Sequence, residues 1–106
     1  MYIIRDIFHL KFGHYRDAKA LMPARAGTDG DEARAKNMFP ESKTFRMLSD
    51  FTGDSYRLIM EEGYDSLGEY EKALTSGMGH ADFQSWYTRF KEYTVSSHRE
   101  ILKVVG

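Results

Sequence analysis

The segment 2–12 alternates between two kinds of side chain, and this alternation constrains the fold more than any other feature of the sequence. Successive side chains of a β-strand point to opposite faces, so each parity describes one face. The even-numbered face is apolar apart from one carboxylate: Tyr2, Ile4, Asp6, Phe8, Leu10 and Phe12. The odd-numbered face mixes apolar and charged groups: Ile3, Arg5, Ile7, His9 and Lys11. We therefore expect both faces to be at least partly buried, which an isolated small sheet cannot arrange.

Three further strands are predicted, at residues 43–50, 55–62 and 99–105. A short loop containing Gly53 joins the first two of these, so they are expected to form a hairpin. The strand at 55–62 repeats the division of the first one, with an apolar face of Tyr56, Leu58 and Met60 and a mixed face of Arg57, Ile59 and Glu61.

Apolar residues at helical spacing predict helices over 14–25, 66–77 and 81–94, with a short one at 32–38 in the connection 26–42. Ser66 and Glu69 have the spacing of a capping box, which places a helix start at Ser66. The expected buried stripes are Tyr15, Ala18, Leu21 and Met22 in the first helix, Leu67, Tyr70 and Leu74 in the next, and Phe83, Trp86, Tyr87, Phe90 and Tyr93 or Thr94 in the last.

The resulting order, β-α-β-β-α(α)-β, is the split βαβ plan of an α+β, ferredoxin-like domain covering residues 1–106, with a four-stranded antiparallel sheet. Right-handed crossovers put the first and third strands in the middle and the helices on one face. The other face carries Ile3, Ile7 and Ile59 and is too apolar to be left in water. A second copy stacked sheet to sheet would cover it, which predicts a homodimer and a dimeric α/β barrel. On that face we expect a polar network of Arg5, His9, Arg57 and Glu61 across the interface.

Composition narrows the class of protein. The chain has 106 residues, a net charge of −1 with both signs interspersed, and no cysteine. The charge distribution argues against nucleic-acid binding, and no apolar run is long enough to span a membrane. The first six residues lack the pattern of a signal peptide, and the lack of cysteine excludes disulfides and a thiol nucleophile. We expect a cytoplasmic protein.

Asp6 is the most informative candidate site residue, because an ionised carboxylate on an apolar face is costly unless it is paired or hydrogen-bonded. One interpretation makes it a pocket acid or base whose pKa is raised by apolar walls. The other makes it structural, paired with a helix Lys or Arg or hydrogen-bonded to a Tyr hydroxyl. The sequence favours the structural interpretation and leaves the first one open.

A set of large side chains predicts a pocket for a flat apolar ligand between sheet and helices: Tyr56, Tyr70, Trp86, Tyr87 and Phe90, with Phe83 beside them and His80 as a lip. Core packing predicts the same residues at the same spacing. The histidines show no metal-ligand spacing, and no phosphate-binding glycine loop is present, so neither a metal nor another cofactor is predicted. Asp50 and Asp54 are interpreted as turn residues. The pair Glu61–Glu62 lies too near a predicted strand end to argue for acid–base catalysis.

Several segments are similar to the dimeric α/β-barrel superfamily: 48–58, 64–71, Lys11-Phe12-Gly13 and the stretch from Trp86 to Ile101. The closest likeness is to NIPSNAP-like and uncharacterised bacterial members, and it covers nearly the whole chain except 26–42. The superfamily includes cofactor-independent monooxygenases, isomerases and haem-degrading enzymes. The haem-degrading members use a first-strand Asn, a helix His and a Trp; Asp6 stands where that Asn would be, and no matching His–Trp arrangement is found. Haem degradation is therefore disfavoured.

Two functions follow as hypotheses. The first is a binding protein that holds a small apolar or aromatic molecule between sheet and helices without catalysis. The alternative is a cofactor-independent monooxygenase or isomerase that acts on a small aromatic or enolisable substrate, with Asp6 as the acid or base. No complete catalytic constellation is present in the sequence, which favours the first.

Overall fold

The computed structural model describes residues 1–21, 42–52, 56–78 and 81–106. Its elements are β1 (Tyr2–Leu10), α1 (Tyr15–Leu21), β2 (Thr44–Ser49), β3 (Arg57–Tyr64), α2 (Leu67–Met78), α3 (Ala81–Phe90) and β4 (Thr94–Lys103). A 3-10 turn, Lys91–Tyr93, joins α3 to β4. The predicted helix at 32–38, the loop residues 53–55, and Met22 lie outside the described residues.

The four strands form an antiparallel sheet in the order β2-β3-β1-β4, which confirms the ferredoxin-like α+β prediction. The central pair β1–β3 places Asp6 opposite Met60 and Ile4 opposite Glu62. On the other side of β1, Asp6 faces Arg99 of β4. Because directly opposite residues of an antiparallel pair share a face, Asp6, Glu62 and Arg99 all lie on the same side of the sheet.

That side is the one that the helices cover. The larger core cluster consists of Leu10, Ala18, Leu21, Phe45, Leu58, Met60, Trp86 and Phe90. Phe8 packs edge-on against Trp86 and Phe90, with ring centroids 6.1 and 4.8 Å apart. A second cluster joins Ile4 and Tyr64 to Ala73 of α2. The even-numbered residues of β1 therefore form the helix-facing side, as predicted.

The predicted last strand was placed too late, because β4 begins at Thr94 and not at Arg99. The missed residues include Ser96 and Ser97, which are exposed on an edge strand. An edge strand that buries little has no need of apolar alternation, so the pattern gave no signal there. For the same reason the preceding helix, predicted to reach Thr94, ends at Phe90.

Four side chains differ from their predicted environment. Leu67 is 46% exposed because it is the first residue of α2, and that helix packs on the second cluster through Tyr70 and Ala73. Tyr87 is 54% exposed, and Phe12 is exposed because β1 ends at Leu10. Tyr56, predicted within the strand, lies just before it, and its backbone has a φ of 62°, in the left-handed region that residues other than glycine rarely adopt.

The Ser66 hydroxyl accepts a hydrogen bond of 3.2 Å from the Glu69 backbone N–H, so the predicted helix start is confirmed.

The face of the sheet turned away from the helices, called here the open face, carries paired charges. Glu61 accepts hydrogen bonds from Arg5 Nε at 2.9 Å and from Arg46 Nε at 2.6 Å. Burial by itself would raise the pKa of Glu61, but these two guanidinium groups hold that pKa below its usual range. Within the open face, Ile7 and Ile59 are only 4% and 8% exposed in the single chain. The single chain thus already covers two of the isoleucines for which a second copy was expected.

The remaining members of the predicted polar network have other partners. Arg57 donates to Asp50, with Nη2 2.8 Å from Oδ1, and this bond lowers the pKa of Asp50. The interpretation of Asp50 as only a turn residue was therefore wrong. The ring of His9 stacks on that of His98 with centroids 5.9 Å apart. Of the four predicted network residues, the structure joins Arg5 and Glu61 directly.

Candidate functional site

A cavity of about 750 Å³ lies between the helix-facing side of the sheet and the helices α2 and α3. It is partly open to solvent, and its volume is in the range of small-molecule sites. Its walls are mostly apolar and aromatic, with a few polar groups: Asp6, Phe8, Met60, Glu62, Tyr64, Tyr70, Ala73, Leu74, Phe83, Gln84, Trp86, Tyr87, Phe90, Lys91 and residues 94–99.

Most of the predicted pocket residues are brought together. Tyr70, Trp86, Tyr87 and Phe90 all line the cavity, as does Phe83 beside them. Tyr56 is not part of the lining, because it packs on the larger core cluster and on the ring of Phe12, 5.2 Å away. His80 lies outside the described residues.

Asp6 is buried in the cavity wall and is paired with a cation. Arg99 Nε donates a hydrogen bond of 2.5 Å to Asp6 Oδ1. The pairing agrees with the structural interpretation of Asp6, except that the cation comes from a strand and not from a helix. Burial alone would lower the pKa of Arg99, but the hydrogen bond to Asp6 raises it. The guanidinium group of Arg99 is therefore held in its charged form by this contact.

Glu62 lines the cavity, although the prediction from sequence set it aside, together with Glu61, as lying too near a strand end; β3 in fact runs on to Tyr64. It is 2% exposed and accepts a hydrogen bond from the hydroxyl of Tyr64, which is fully buried. Burial raises the pKa of Glu62 to about 7, and the neighbouring Asp6 adds to this rise. The hydrogen bond from Tyr64 and the positive charge of Arg99 act in the opposite direction and favour the ionised form. Burial and the neighbouring Glu62 also raise the pKa of Tyr64, so that its hydroxyl keeps its proton. Glu62 is thus a buried carboxyl that ionises near neutral pH.

The signal that would have found Glu62 was present in the sequence. It has the same parity as Leu58 and Met60, so its side chain falls on the helix-facing side of β3, which continues two residues beyond it to Tyr64. The predicted strand stopped at 62, where the residue is not distinguished from its neighbour Glu61. Glu61 lies on the open face, so the two adjacent carboxyls point to different sides of the sheet, and their pKa values move in opposite directions.

Two buried donors in the lining have no hydrogen-bond partner within the described part of the chain: the hydroxyl of Tyr70 and Nε1 of Trp86. Tyr70 lies near the carboxyl groups, with its ring 5.3 Å from that of Tyr64 and 5.8 Å from Cζ of Arg99. Burial raises the pKa of Tyr70, so this hydroxyl too remains a donor. A buried donor without a partner costs free energy that a ligand acceptor can recover.

The fold and the cavity define a ferredoxin-like α+β protein with a ligand-sized space between sheet and helices. Solved structures with this fold include a NIPSNAP domain protein of Burkholderia xenovorans, with TM-score 0.78 and 9% identity over 99% of this chain and 95% of that one. A NIPSNAP family protein of Agrobacterium tumefaciens has TM-score 0.78 and 15% identity, over 98% of this chain and 92% of that one. A putative antibiotic biosynthesis monooxygenase of Nitrosomonas europaea has TM-score 0.72 and 15% identity over the whole of both chains.

Because all three identities are low, these similarities show the fold alone, and that fold is the ferredoxin-like one expected from the sequence. No family model matches the chain, and no curated protein matches it either. Along the described residues, no helix has the length and apolar character needed to cross a bilayer. In those same ranges no three His, Cys, Asp or Glu side chains are grouped as a metal site.

Proposed function

We propose that this protein binds a small apolar or aromatic molecule in the cavity between sheet and helices. The observation that carries the proposal is the position of Trp86. Its ring is 6% exposed and stacks on Phe90 at 4.8 Å in the cavity wall, while its buried Nε1 has no partner among the described residues. An aromatic wall with an unsatisfied donor is suited to a flat ligand that carries an acceptor.

We further propose that the protein is a cytoplasmic homodimer in which the open faces of two copies stack. Pairing of Glu61 with Arg5 and Arg46 lowers the cost of covering that face, because charges that already have partners lose less on desolvation. Leu102, on the same face, is 43% exposed in the single chain and offers apolar surface for a second copy. The cytoplasmic location is supported by composition.

The alternative function is a cofactor-independent monooxygenase or isomerase with Asp6 as acid or base. The cavity supports it, and one of the solved structures of the same fold is named as a monooxygenase. The contact between Asp6 and Arg99 speaks against Asp6 as the proton acceptor, because the guanidinium group already occupies Oδ1 of that carboxylate. Binding is therefore the function that the geometry supports best.

Trp86 is the only tryptophan of the chain, so its fluorescence reports on the cavity alone. We expect 4-nitroanisole, an uncharged aromatic quencher, to bind saturably and quench it. Ser97→Phe, on the exposed β4 residue that lines the cavity, should fill the space and weaken binding at least tenfold. Ser76→Phe is the matched control, since Ser76 is exposed on α2 and outside the lining. Equal binding by both variants, or no saturable quenching, would contradict the proposal.

A further inference from the structure

We propose that the outer edge of β4 binds an extended peptide segment of another protein, which adds to the sheet as a fifth strand and places an aromatic side chain in the mouth of the cavity. The inference rests on the proposed function in one respect, since it requires the cavity to accept an aromatic group. Beyond that function, it assigns a macromolecular partner of stated chemistry to an exposed strand.

The edge of the sheet at β4 is long and exposed. β4 has ten residues, nine of which are exposed, and in the described part of the chain no strand pairs with its outer side. Its register with β1 skips Val95, which marks a bulge, and is regular from Ser96 to Lys103. The backbone N–H and C=O groups on the outer side of such a strand can form hydrogen bonds with another chain.

Three residues of this regular part determine what an added strand would meet on the helix-facing side: Ser97, Arg99 and Ile101. Their register partners on β1 are even-numbered residues, which face the helices. Residues of an added strand directly opposite these three would share that side. The three offer a small side chain, a cation and an apolar side chain, so each selects a different kind of partner.

Ser97 leaves room for a large side chain. It is exposed, lines the cavity and lies opposite Phe8, whose ring packs on Trp86 and Phe90. Adjacent strands are about 4.8 Å apart, so an aromatic side chain opposite Ser97 can extend across this small residue toward the aromatic wall. The buried Nε1 of Trp86 has no partner among the described residues, which favours an aromatic group that carries an acceptor.

Arg99 and Ile101 define the neighbouring positions of the peptide. The Arg99 side chain is 44% exposed and contacts Asp6 through Nε, so its terminal nitrogens can donate to a second carboxylate. Ile101 is 51% exposed and favours an aliphatic partner. An antiparallel strand meets Ile101 first and Ser97 last. Its sequence from N to C terminus is therefore aliphatic, any residue, acidic, any residue, aromatic.

A second copy of this chain does not supply that pattern. The other edge strand of the sheet is β2, whose aromatic residue, Phe45, is 8% exposed because it packs in its own core. With Phe45 opposite Ser97, antiparallel pairing would put a lysine, residue 43, opposite Arg99, and like charges directly opposite each other are destabilising. Two β4 strands paired about Ser97 would put Val95 opposite Arg99, with no acid and no aromatic group. The homodimer proposed above uses the open face and leaves this edge to a different chain.

The test uses the peptide acetyl-Thr-Val-Thr-Glu-Thr-X-Thr-amide, in which X is 4-nitrophenylalanine, and follows quenching of Trp86 fluorescence. We expect saturable quenching of the wild type, and binding weaker by about tenfold or more for the peptide of reversed order, with X before the acid and valine after it. Replacing the glutamate of the peptide by glutamine should weaken binding about three- to fivefold, as for a partly exposed ion pair. Arg99→Gln should bind the glutamate and glutamine peptides equally.

N-methylated peptides separate strand addition from insertion of the aromatic group alone, and they need no variant of the protein. Only alternate amides of an added antiparallel strand donate to the sheet. Methyl groups on one set of alternate amides should weaken binding about tenfold or more, and on the other set by less than about threefold. Equal effects of the two sets, or equal binding of the peptide and its reversed form, would overturn the inference.

Two further outcomes identify a different occupant or a different ligand. A peptide that converts a homodimer to the monomer would assign the edge to a second copy and overturn the inference. Absence of saturable quenching by the peptide, while 4-nitroanisole still binds, overturns it as well and leaves the proposed function intact. Failure of both probes to bind overturns the two proposals together.

Discussion

The hydroxyl of Tyr64 donates a hydrogen bond to Oε2 of Glu62, two residues earlier on the same strand and on the same side of the sheet. Both side chains are nearly inaccessible to solvent, and they lie next to the ion pair of Asp6 and Arg99. A buried carboxyl held by a neutral donor has a consequence for stability, because its ionisation is penalised in the folded state only.

The first prediction concerns the pH dependence of unfolding. The pKa of Glu62 is raised from 4.5 to about 7 by folding, so the folded protein binds more protons than the unfolded chain between these values. The contribution of Glu62 to stability therefore falls as pH rises from about 4.5 to about 7 and is constant above that. Glu62→Gln removes this loss. Relative to wild type, the variant should gain up to about 3 kcal/mol in unfolding free energy between pH 5 and pH 8, because moving a pKa by one corresponds to about 1.36 kcal/mol.

Urea denaturation of both proteins at the two pH values measures this difference directly. Glu71→Gln is a suitable control, because Glu71 is a carboxyl on α2 that is exposed to solvent. Its unfolding free energy relative to wild type should change little between pH 5 and pH 8. A Glu62→Gln variant whose relative stability is the same at both pH values would contradict the prediction.

The second prediction concerns the ion pair of Asp6 and Arg99. Asp6 is nearly buried while Arg99 is 44% exposed, so the pair lies between a surface bridge and a buried one. A double-mutant cycle with Asp6→Asn and Arg99→Gln should give a coupling energy of about 1–2 kcal/mol. The exposed pair His14–Asp17, with contact distance 3.0 Å, serves as control and should couple by less than about 0.5 kcal/mol. Equal coupling in the two cycles would show that burial of Asp6 has no energetic effect.

The sequence predicted the side of the sheet on which the site lies, and the reason is the period of a strand. Ile4, Phe8 and Leu10 share one parity of β1, so that parity had to face the helices, and Asp6 belongs to it. The same reasoning predicted Trp86 and Phe90 in the wall, because their helical spacing repeats on one face. These features depend on residues close together in the chain.

The partner of Asp6 depends on long-range register and was not predictable in the same way. Arg99 faces Asp6 only because β4 extends back to Thr94 and pairs with β1 in one particular register. The exposed residues Ser96 and Ser97 gave no alternation from which that register can be inferred. Glu62 was missed for a different reason: it has the parity of Leu58 and Met60, but it stood at the predicted end of the strand and was set aside there with Glu61.

The third prediction tests the aromatic wall as part of the core. Phe90 is 2% exposed and packs against both Phe8 and Trp86. Phe90→Ala should lower the unfolding free energy by about 3–5 kcal/mol, because it removes a buried ring and leaves a cavity. Phe51→Ala is the matched control, since Phe51 is fully exposed, and it should change stability by no more than about 0.5 kcal/mol. A Phe90→Ala variant as stable as the control would place the ring outside the core.

The fourth prediction concerns the proposed homodimer. Sedimentation at micromolar concentration should give a species of twice the 12.3 kDa of the chain. Leu102→Glu puts a carboxylate on the open face, where a stacked copy would have to bury it, so this variant should sediment as a monomer. Leu67→Glu replaces a leucine of similar exposure, 46% against 43%, at the start of α2, away from that face, and should remain dimeric.

The fourth test also distinguishes the dimer from a monomer that needs no partner. In the single chain Ile7 and Ile59 are already covered, so the free energy of association has to come from the more exposed residues such as Leu102. A wild-type species of 12.3 kDa would therefore mean that the paired charges around Glu61 suffice to keep the open face in water. A dimer that both glutamate variants weaken equally would place the interface elsewhere than on the open face.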